Sequence, residues 1–349
     1  MTMSSQLKRE LKWPEQATLA IEVCGVCNLR CPMCSYPRLK RKKGMMDFGL
    51  FTRIAEDAAD NGHGIASLHF FGEPLLWPHI VEGVALLAKF GMHPRLSTNG
   101  MMLTGDMARR LQDAGMKEIM VTIDTLRPEV YKIIRSGGDF ETVRRNIHDA
   151  IAAAPDLLIR PQMMPTKYNE GETEEDFYNE FGRHRNFQVQ PWFIHRMIEA
   201  ENLTKDLFHA SDEVDKRLCD KPFERVDVLW DGTTVLCCLD AEGTLVTGDL
   251  NTNSISHSWE GPKATRLRRK IMAGEWHDLL ACRECMADHV VTDIAPACWK
   301  KTEPLQPLPE SYRKVYDRIL ELGEYDEASG TWSNGGMTNF LSTESGRNA

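Results

Sequence analysis

No run of about eighteen consecutive apolar residues occurs in this 349-residue chain, so a membrane-spanning helix is not expected. The opening MTMSSQLKRELKWPEQ is polar, mixed in charge and lacks the apolar core of a secretory signal; a cytoplasmic location is the expectation. An excess of cations is also missing. The chain has 42 Lys and Arg against 51 Asp and Glu, for a net charge of −9. Without a global positive field to attract phosphates, a general nucleic-acid binder is not expected. None of the eleven histidines shows the paired spacing of a metal site, and no internal repeat is present. Cysteine is absent between residues 35 and 218, although the chain holds ten in all. A reducing cytosol disfavours a disulfide framework, and the clustering of those ten points to metal instead.

Hydrophobic residues make up 42% of the chain and charged residues 27%, ordinary for a globular protein, and the length suggests about two domains. From residue 17, short apolar runs alternate with longer amphipathic ones. Strands are predicted over 18–23, 65–70, 93–97, 118–123, 157–164 and 188–194, and helices over 48–59, 79–89, 104–114, 140–153 and 174–181. That alternation predicts βα units on a parallel sheet, as a barrel or a doubly wound open sheet; periodicity cannot separate the two. Polar motifs follow the first four strands: Cys24 to Cys34, Gly72-Glu73-Pro74, Ser97-Thr98-Asn99-Gly100 and Asp124-Thr125. Loops after the carboxyl ends of parallel strands share one face, where ligands bind, so these four motifs are expected to converge. Farther on, 226–230 and 234–239 flank the turn Asp231-Gly232-Thr233 and predict a β-hairpin, followed by a basic helix containing Arg266, Arg268 and Arg269. Predicted domains are an N-terminal extension (1–16), the α/β unit (17–205), a small cysteine-bearing unit (206–300), and a C-terminal helix with a polar, disordered tail (301–349). The basic run Arg38 to Lys43 reads as solvated surface, or else as a docking patch for an anionic substrate or an acidic electron-transfer protein.

Cys24-x2-Cys27-x3-Cys31-x2-Cys34 admits two readings. Four thiolates close a structural zinc or iron-sulfur site, whereas three leave a coordination position open for chemistry. Taken in register, Cys27-x3-Cys31-x2-Cys34 after the first strand, GEP after the second, TNG after the third, and Val121-Thr122-Ile123-Asp124 leading to Tyr131-Lys-Ile-Ile-Arg135 resemble the radical S-adenosylmethionine (radical SAM) enzymes. The resemblance extends from about residue 18 to 298. It implies an α/β fold, a partial (β/α)6 TIM-like barrel with a small C-terminal α+β auxiliary-cluster domain. It also implies that Cys27, Cys31 and Cys34 hold a [4Fe-4S] cluster whose fourth iron takes S-adenosylmethionine, with Cys24 a buried packing residue. Gly72, Glu73 and Pro74 would then hold the methionyl amino group, Arg135 and Thr122 the carboxylate and ribose side, and Met33 the adenine. Thr98 and Asn99 join this cofactor set, and Asp124 is expected to orient ribose or substrate, or to act as a base. The pattern departs from the family at Phe71, where many members carry a second Gly, and at Met33, often aromatic.

Cys219, Cys237 after Gly232, and Cys282-x2-Cys285 resemble the shortened SPASM or twitch auxiliary domain of one branch, implying a second, fully ligated [4Fe-4S] cluster and two in total. Zinc is the alternative for this set. Adjacent residues of a strand face opposite ways, so Cys237 and Cys238 are not expected to bind one cluster together. Spacing from Gly232 favours Cys237; Cys238 and Cys298 remain as candidate hydrogen-atom donors.

The resemblance implies reductive cleavage of S-adenosylmethionine to a 5′-deoxyadenosyl radical, with electrons from a flavodoxin- or ferredoxin-type donor. Only about 17 residues precede the first strand, which leaves no room there for a leader-binding module. A small polar substrate (a sugar, cyclitol or aminoglycoside-type intermediate) undergoing oxidation or epimerisation is therefore expected over maturation of a ribosomal peptide. A non-catalytic zinc-stabilised binding protein is the alternative of another class.

Overall fold

The computed structural model describes residues 18–164, 166–191, 221–272, 275–282, 325–326 and 331–332. The elements alternate from the start: β1 (Thr18–Ile21), α1 (Phe48–Asp60), β2 (Ile65–Ser67), α2 (Ile80–Lys89), β3 (His93–Thr98) and α3 (Gly105–Asp113). They continue through β4 (Glu118–Thr122), α4 (Pro128–Ile134), α5 (Phe140–Ala153), β5 (Leu158–Met163), α6 (Glu174–Phe181) and β6 (Gln190–Pro191). A short α7 (Lys221–Glu224) leads into β7 (Arg225–Val228), β8 (Thr233–Val235), β9 (Val246–Asp249), α8 (Ile255–Glu260) and α9 (Pro262–Met272). A two-stranded pair, β10 (Tyr325–Asp326) and β11 (Thr331–Trp332), lies apart.

Sheet order separates the two folds that periodicity left open. Strands β1 to β6 are parallel neighbours in chain order, so consecutive crossovers always step the same way, as in a (β/α) barrel. A doubly wound sheet would reverse at a switch point. The barrel is partial because β7, not β6, takes the free edge of β1, pairing in parallel with Leu19 opposite Val226. Antiparallel β8 and β9 then continue the same nine-stranded sheet. The smaller unit is thus hydrogen-bonded directly to the strand that launches the first cysteine loop.

The helices begin where their capping residues dictate. Asp47, Thr104 and Asp139 accept the backbone N–H of Leu50, Met107 and Thr142, satisfying donors that a helix start leaves orphaned. Thr173 and Asp176 form a capping box at α6. Apolar faces of α1 to α3 and α5 pack Leu50, Phe51, Ile54, Val84, Leu87, Leu111 and Ile147 against the outward faces of the strands. The inward faces carry polar residues instead, and that is what opens the lumen.

Several expected boundaries move. Predicted strands over 18–23 and 65–70 stop at Ile21 and Ser67, because the following residues turn out to form the site. The last strand of the barrel is described only as Gln190–Pro191. The hairpin's second strand ends at Val235, one residue beyond a bulge at Thr234/Val235 in its pairing with β9. Cys237 and Cys238 therefore lie in the turn after it rather than on a strand. Asp240 builds that turn, accepting the N–H of Thr244 and Leu245 at 2.9 and 2.6 Å. Among the described residues no helix is long and apolar enough to cross a membrane. The extension 1–16, the C-terminal helix and most of the tail lie outside the described residues.

Candidate active site

The loop leaving β1 is pinned at its base before it reaches the cysteines. Cys24 bridges Met45 in antiparallel fashion, and Gly25 N–H donates to the Gly44 carbonyl at 2.8 Å. Cys24 is 2% exposed, sits in the main core, and its thiol donates to the Val26 carbonyl at 3.3 Å. The other three sulfurs behave differently, because each accepts. Cys27 takes the N–H of Leu29 at 3.4 Å, Cys34 that of Tyr36 at 3.4 Å, and Cys31 faces Arg135 Nη1 at 3.7 Å. N–H groups aimed at sulfur stabilise thiolates that ligate iron and tune the potential of a cluster.

The three motif loops are joined through one carboxylate. Glu73 accepts the Thr98 hydroxyl at 2.6 Å, Asn99 N–H at 2.8 Å and Leu75 N–H at 3.1 Å. Asn99 in turn donates to Asn28 Oδ1 at 2.7 Å, reaching back into the cysteine loop. Burial pushes Glu73 up to about 7, against the pull of those donors. Gly72 has φ +131°, and a Cβ there would sit 2.1 Å from the Cys24 carbonyl oxygen. Only glycine lets this turn lie on the first loop.

After β4, Asp124 adopts φ +64° and is fully buried. Its carboxylate pairs with Arg135, while Asn169 Nδ2 holds its carbonyl at 2.8 Å. Burial works against charge on Arg135, but Asp124 and then Cys31 outweigh it, so the guanidinium's pKa is raised.

One cavity of about 410 Å³ gathers these groups. Cys27, Cys31, Cys34, Met33, Gly72, Glu73, Thr98, Asn99, Thr122 and Arg135, all singled out from sequence, line it. Pro74 and Asp124 do not: Pro74 opens a 3₁₀ turn behind the wall, and Asp124 meets the cavity only through Arg135. Ser97, of the third motif, lines the cavity as well; sequence reasoning missed Ser67, Arg95, Gln162 and Arg225, which also line it. The available signal was period-two alternation, which places hydrophilic residues on the inner face of strands otherwise buried on both sides.

The donor set fits a polynuclear cluster better than a single ion. Three thiols from one loop share the cavity, one fewer than a fully ligated four-iron cubane takes, which leaves one iron open, and N–H groups are aimed at their sulfurs. Burial pushes Cys27 up to about 12 and Cys34 to about 11, so loading metal must displace their protons.

Of the second cysteine set, Cys237 and Cys282 are described. Both pack on an apolar cluster of Leu236, Leu245, Ile271 and Ala281. The Cys238 thiol is hydrogen-bonded to that of Cys237, which holds its pKa below the usual thiol value against burial, with Arg225 adding to the effect. Cys219, Cys285 and Cys298 lie outside the described residues.

The basic run proves to be structural in part. Arg38 donates to the Pro32 and Cys34 carbonyls at 3.1 and 2.8 Å. Arg41 pairs with fully buried Glu22 and donates to the Ala241 carbonyl at 2.6 Å. Trp230 Nε1 donates to the Lys42 carbonyl at 3.1 Å, and the ring lies so close to Gly44 that a Cβ there would come within 2.6 Å. The run is a strap between the first cysteine loop and the β7–β8 unit. In α9, Arg268 is likewise buried, donating to the Pro222 and Trp259 carbonyls and stacking 3.7 Å over the Trp259 ring.

A partial parallel barrel whose strand ends present three cysteines, a GEP turn and a buried Arg–Asp pair to one cavity defines a metal-dependent α/β-barrel enzyme class. Sequence profiles make this specific. The profile of the radical SAM superfamily matches residues 21–178, and that of the SPASM iron-sulfur cluster-binding domain matches residues 219–286. The chain belongs to the radical SAM superfamily, in the branch with a SPASM-type domain, and its cofactors are S-adenosylmethionine and [4Fe-4S] clusters. Among curated relatives, GTP 3′,8-cyclase of Alkaliphilus metalliredigens is 30% identical over 57% of this chain and 63% of its own length. The tungsten-containing aldehyde ferredoxin oxidoreductase cofactor-modifying protein of Pyrococcus furiosus is 31% identical over 34% of this chain and 33% of its own. The chain thus spans less than two thirds of the length of either relative.

Solved structures share the fold. BtrN in complex with AdoMet and 2-DOIA superposes with TM-score 0.53 at 20% identity, covering 77% of this chain and 92% of BtrN. SuiB of Streptococcus suis bound to the precursor peptide SuiA gives 0.54 at 13% identity, over 76% of this chain and 69% of SuiB. Native anSMEcpe with bound AdoMet gives 0.57 at 15% identity, over 86% and 97% of the two chains.

Proposed function

We propose that this enzyme oxidises or epimerises a small polar substrate, a sugar or cyclitol derivative, by removing a carbon-bound hydrogen in the lumen of the barrel. The supporting observation is the cavity itself, which runs from the three cysteines at the strand ends to Ser67, Arg95 and Gln162 on the inner strand faces. A pocket of about 410 Å³ with mainly apolar walls and a few placed polar groups (Ser67, Arg95, Gln162) suits a compact molecule held by specific hydrogen bonds. With its cofactors bound, the site supplies a 5′-deoxyadenosyl radical derived from S-adenosylmethionine.

In this reading Cys27, Cys31 and Cys34 hold the first cluster, and the turn around Gly72, stiffened by Glu73, presents its backbone to the amino group of S-adenosylmethionine. Arg135, kept charged and oriented by Asp124, faces the carboxylate, with Thr122 on the ribose side. Met33 and Phe71, 3% and 4% exposed, exclude water from the reacting end. Cys219, Cys237, Cys282 and Cys285 hold the second cluster, with domain limits at 17–205 and 206–300. In an oxidation that cluster would supply a one-electron acceptor, and an external flavodoxin- or ferredoxin-type donor would supply the electron that each cycle needs. In an epimerisation Cys238 or Cys298 returns the hydrogen atom.

The similarity to chains named GTP 3′,8-cyclase favours a second reading, cyclisation of a nucleotide. Maturation of a peptide is the third outcome. Anaerobic reconstitution followed by iron counting, reduction and assay of 5′-deoxyadenosine tests the shared chemistry: about eight irons per chain and release of the nucleoside are expected. Zinc in place of iron and no release would overturn it. Incubation with carbon-deuterated sugars, cyclitols, GTP and peptides then separates the readings, since only the true class transfers deuterium into 5′-deoxyadenosine. Cys238→Ala distinguishes the reactions, because an epimerase using that thiol loses its product whereas an oxidase keeps it.

A further inference from the structure

The floor of the lumen carries more positive than negative charge. Alternate residues of each strand face inward, and β3, β5 and β7 contribute Arg95, Arg160 and Arg225, whereas β4 and β7 contribute only Glu118 and Asp227. Two of the three guanidiniums have a carboxylate. Arg160 pairs with Glu118 at 2.6 Å, and Arg225 is bidentate on Asp227, with its Nε donating at 2.9 Å. Arg95 forms no ion pair among the described residues; it donates to the hydroxyls of Ser67 at 2.8 Å and Thr18 at 3.4 Å. Burial lowers its pKa; Glu118, itself paired to Arg160, opposes this, and the charges of Arg225 and Arg160 add to it.

Beside it, His69 accepts Ser97 N–H on Nδ1 at 3.1 Å. The neutral ring must then carry its proton on Nε2, toward the cavity that it lines. Burial, with Arg225 and Arg95 adding to it, lowers His69 to about 3, so the ring is a neutral donor at working pH. Gln162, 1% exposed, accepts from Ser97 Oγ at 3.4 Å, while its Nε2 has no partner. Gln190, opposite Gln162 in the register of β5 and β6, has an unpartnered Oε1. Buried polar atoms are rarely left unsatisfied, and here both belong to residues lining the same cavity.

We propose that this floor seats an oxyanion of the substrate, a carboxylate or phosphoryl group, between Arg95 and Arg225, with His69 Nε2–H and the Gln162 amide completing its hydrogen bonds. The inference rests on the reading of this cavity as the substrate site and narrows it. The substrate is a sugar acid, or a sugar or cyclitol phosphate. A cationic aminocyclitol or aminoglycoside intermediate is disfavoured, since its ammonium would lie against an uncompensated guanidinium. Arg135 and the cysteines occupy the opposite, strand-end part of the cavity, so this oxyanion is separate from the carboxylate of S-adenosylmethionine.

The test uses oxidised, reconstituted enzyme saturated with S-adenosylmethionine, and two near-isosteric probes, trifluoroacetate and trifluoroacetamide, followed by fluorine NMR line broadening. Trifluoroacetate is expected to bind at least about tenfold more tightly than the neutral amide. Arg95→Gln should remove that preference, Arg95→Lys should keep part of it, and Arg110→Gln on exposed α3 should leave it unchanged. Competition by inorganic phosphate or by acetate then assigns the group as phosphoryl or carboxylate. Equal binding of the two probes to wild-type enzyme overturns the proposal even if no variant folds. So does loss of trifluoroacetate binding when S-adenosylmethionine is titrated into reconstituted enzyme prepared without it, which would make the floor part of the cofactor site. If the reduced enzyme releases 5′-deoxyadenosine yet shows no preference for the anion, this inference alone fails; if no 5′-deoxyadenosine forms, the underlying reading fails.

Discussion

The loop after β1 and the turn after β8 both present cysteines, but they are built by opposite means. Cys27, Cys31 and Cys34 occupy eight consecutive residues on one loop, and Asn99 after β3 and Arg135 at the end of α4 lend N–H groups to Cys27 and Cys31. The second set draws Cys237 from a hairpin turn and Cys282 from a segment 45 residues later, brought together by Leu236, Leu245, Ile271 and Ala281. A local site is specified by spacing, whereas an assembled site depends on packing around it. The strap from Arg38 to Gly44 ties the two together, with Glu22 at its centre: besides Arg41, that carboxylate accepts N–H from Phe71 and Trp230, each at 3.3 Å.

The sharpest break in the comparison comes from single ligands. Cys34→Ala is expected to abolish 5′-deoxyadenosine release, whereas Cys237→Ala should lower iron from about eight to about four per chain. Iron analysis and a single-turnover assay check both, and equal loss of release in the two variants would show that the sites are not separable. Gly72→Ala should come next. A Cβ 2.1 Å from a backbone oxygen forces the GEP turn off the first loop, costing about 3 kcal/mol or more and weakening S-adenosylmethionine binding, measured by equilibrium dialysis.

Glu22→Gln strikes the tie between the regions. It leaves Arg41 buried without its carboxylate, with an expected loss of about 3 kcal/mol in urea unfolding. If the strap couples the regions, tryptic cleavage near Arg38 should accelerate in that variant.

Acid should loosen the barrel through its buried imidazoles. His63 is lowered to about 4 and His69 to about 3 by burial, below the unfolded value of 6.5. The folded state therefore binds fewer protons, so stability from these groups is intact above about pH 6.5 and declines as pH falls toward 4 and 3. His69→Gln, which keeps an acceptor for Ser97 N–H, should flatten that decline in unfolding midpoints measured at each pH. The smallest effect is expected for Glu242→Ala. Its exposed carboxylate accepts the N–H groups of Lys40 and Arg41, each at 2.9 Å, worth about 1 kcal/mol together in thermal unfolding.

Much of the barrel was legible because helix and strand periods differ and their alternation is a repeating signal. Helices α5 and α6 match the ranges expected from sequence at both ends, since caps at Asp139 and Thr173 mark their starts. Strand ends were less legible, because Leu68 to Phe71 stay apolar after the ladder stops. The placement of Cys237 and Cys238 on a strand failed because the turn built by Asp240 takes over after Val235, and such a turn has no period. Arg41, in a run read as solvated surface, is instead held by a carboxylate and a carbonyl from distant segments, and Arg268 of the basic helix is buried against the Pro222 and Trp259 carbonyls.

Sequence alone determined the order of βα units, the three-cysteine loop and the sequence of polar motifs, since each depends on residues within a few positions of one another. Tertiary structure decided that β7 takes the open edge of β1, that the basic run is a strap, and that Arg95, Arg225, His69 and Gln162 surround one lumen. Those facts follow from register and strand neighbours, which bring together residues as far apart in the chain as Leu19 and Val226. Spacing along the chain carries no record of such pairings.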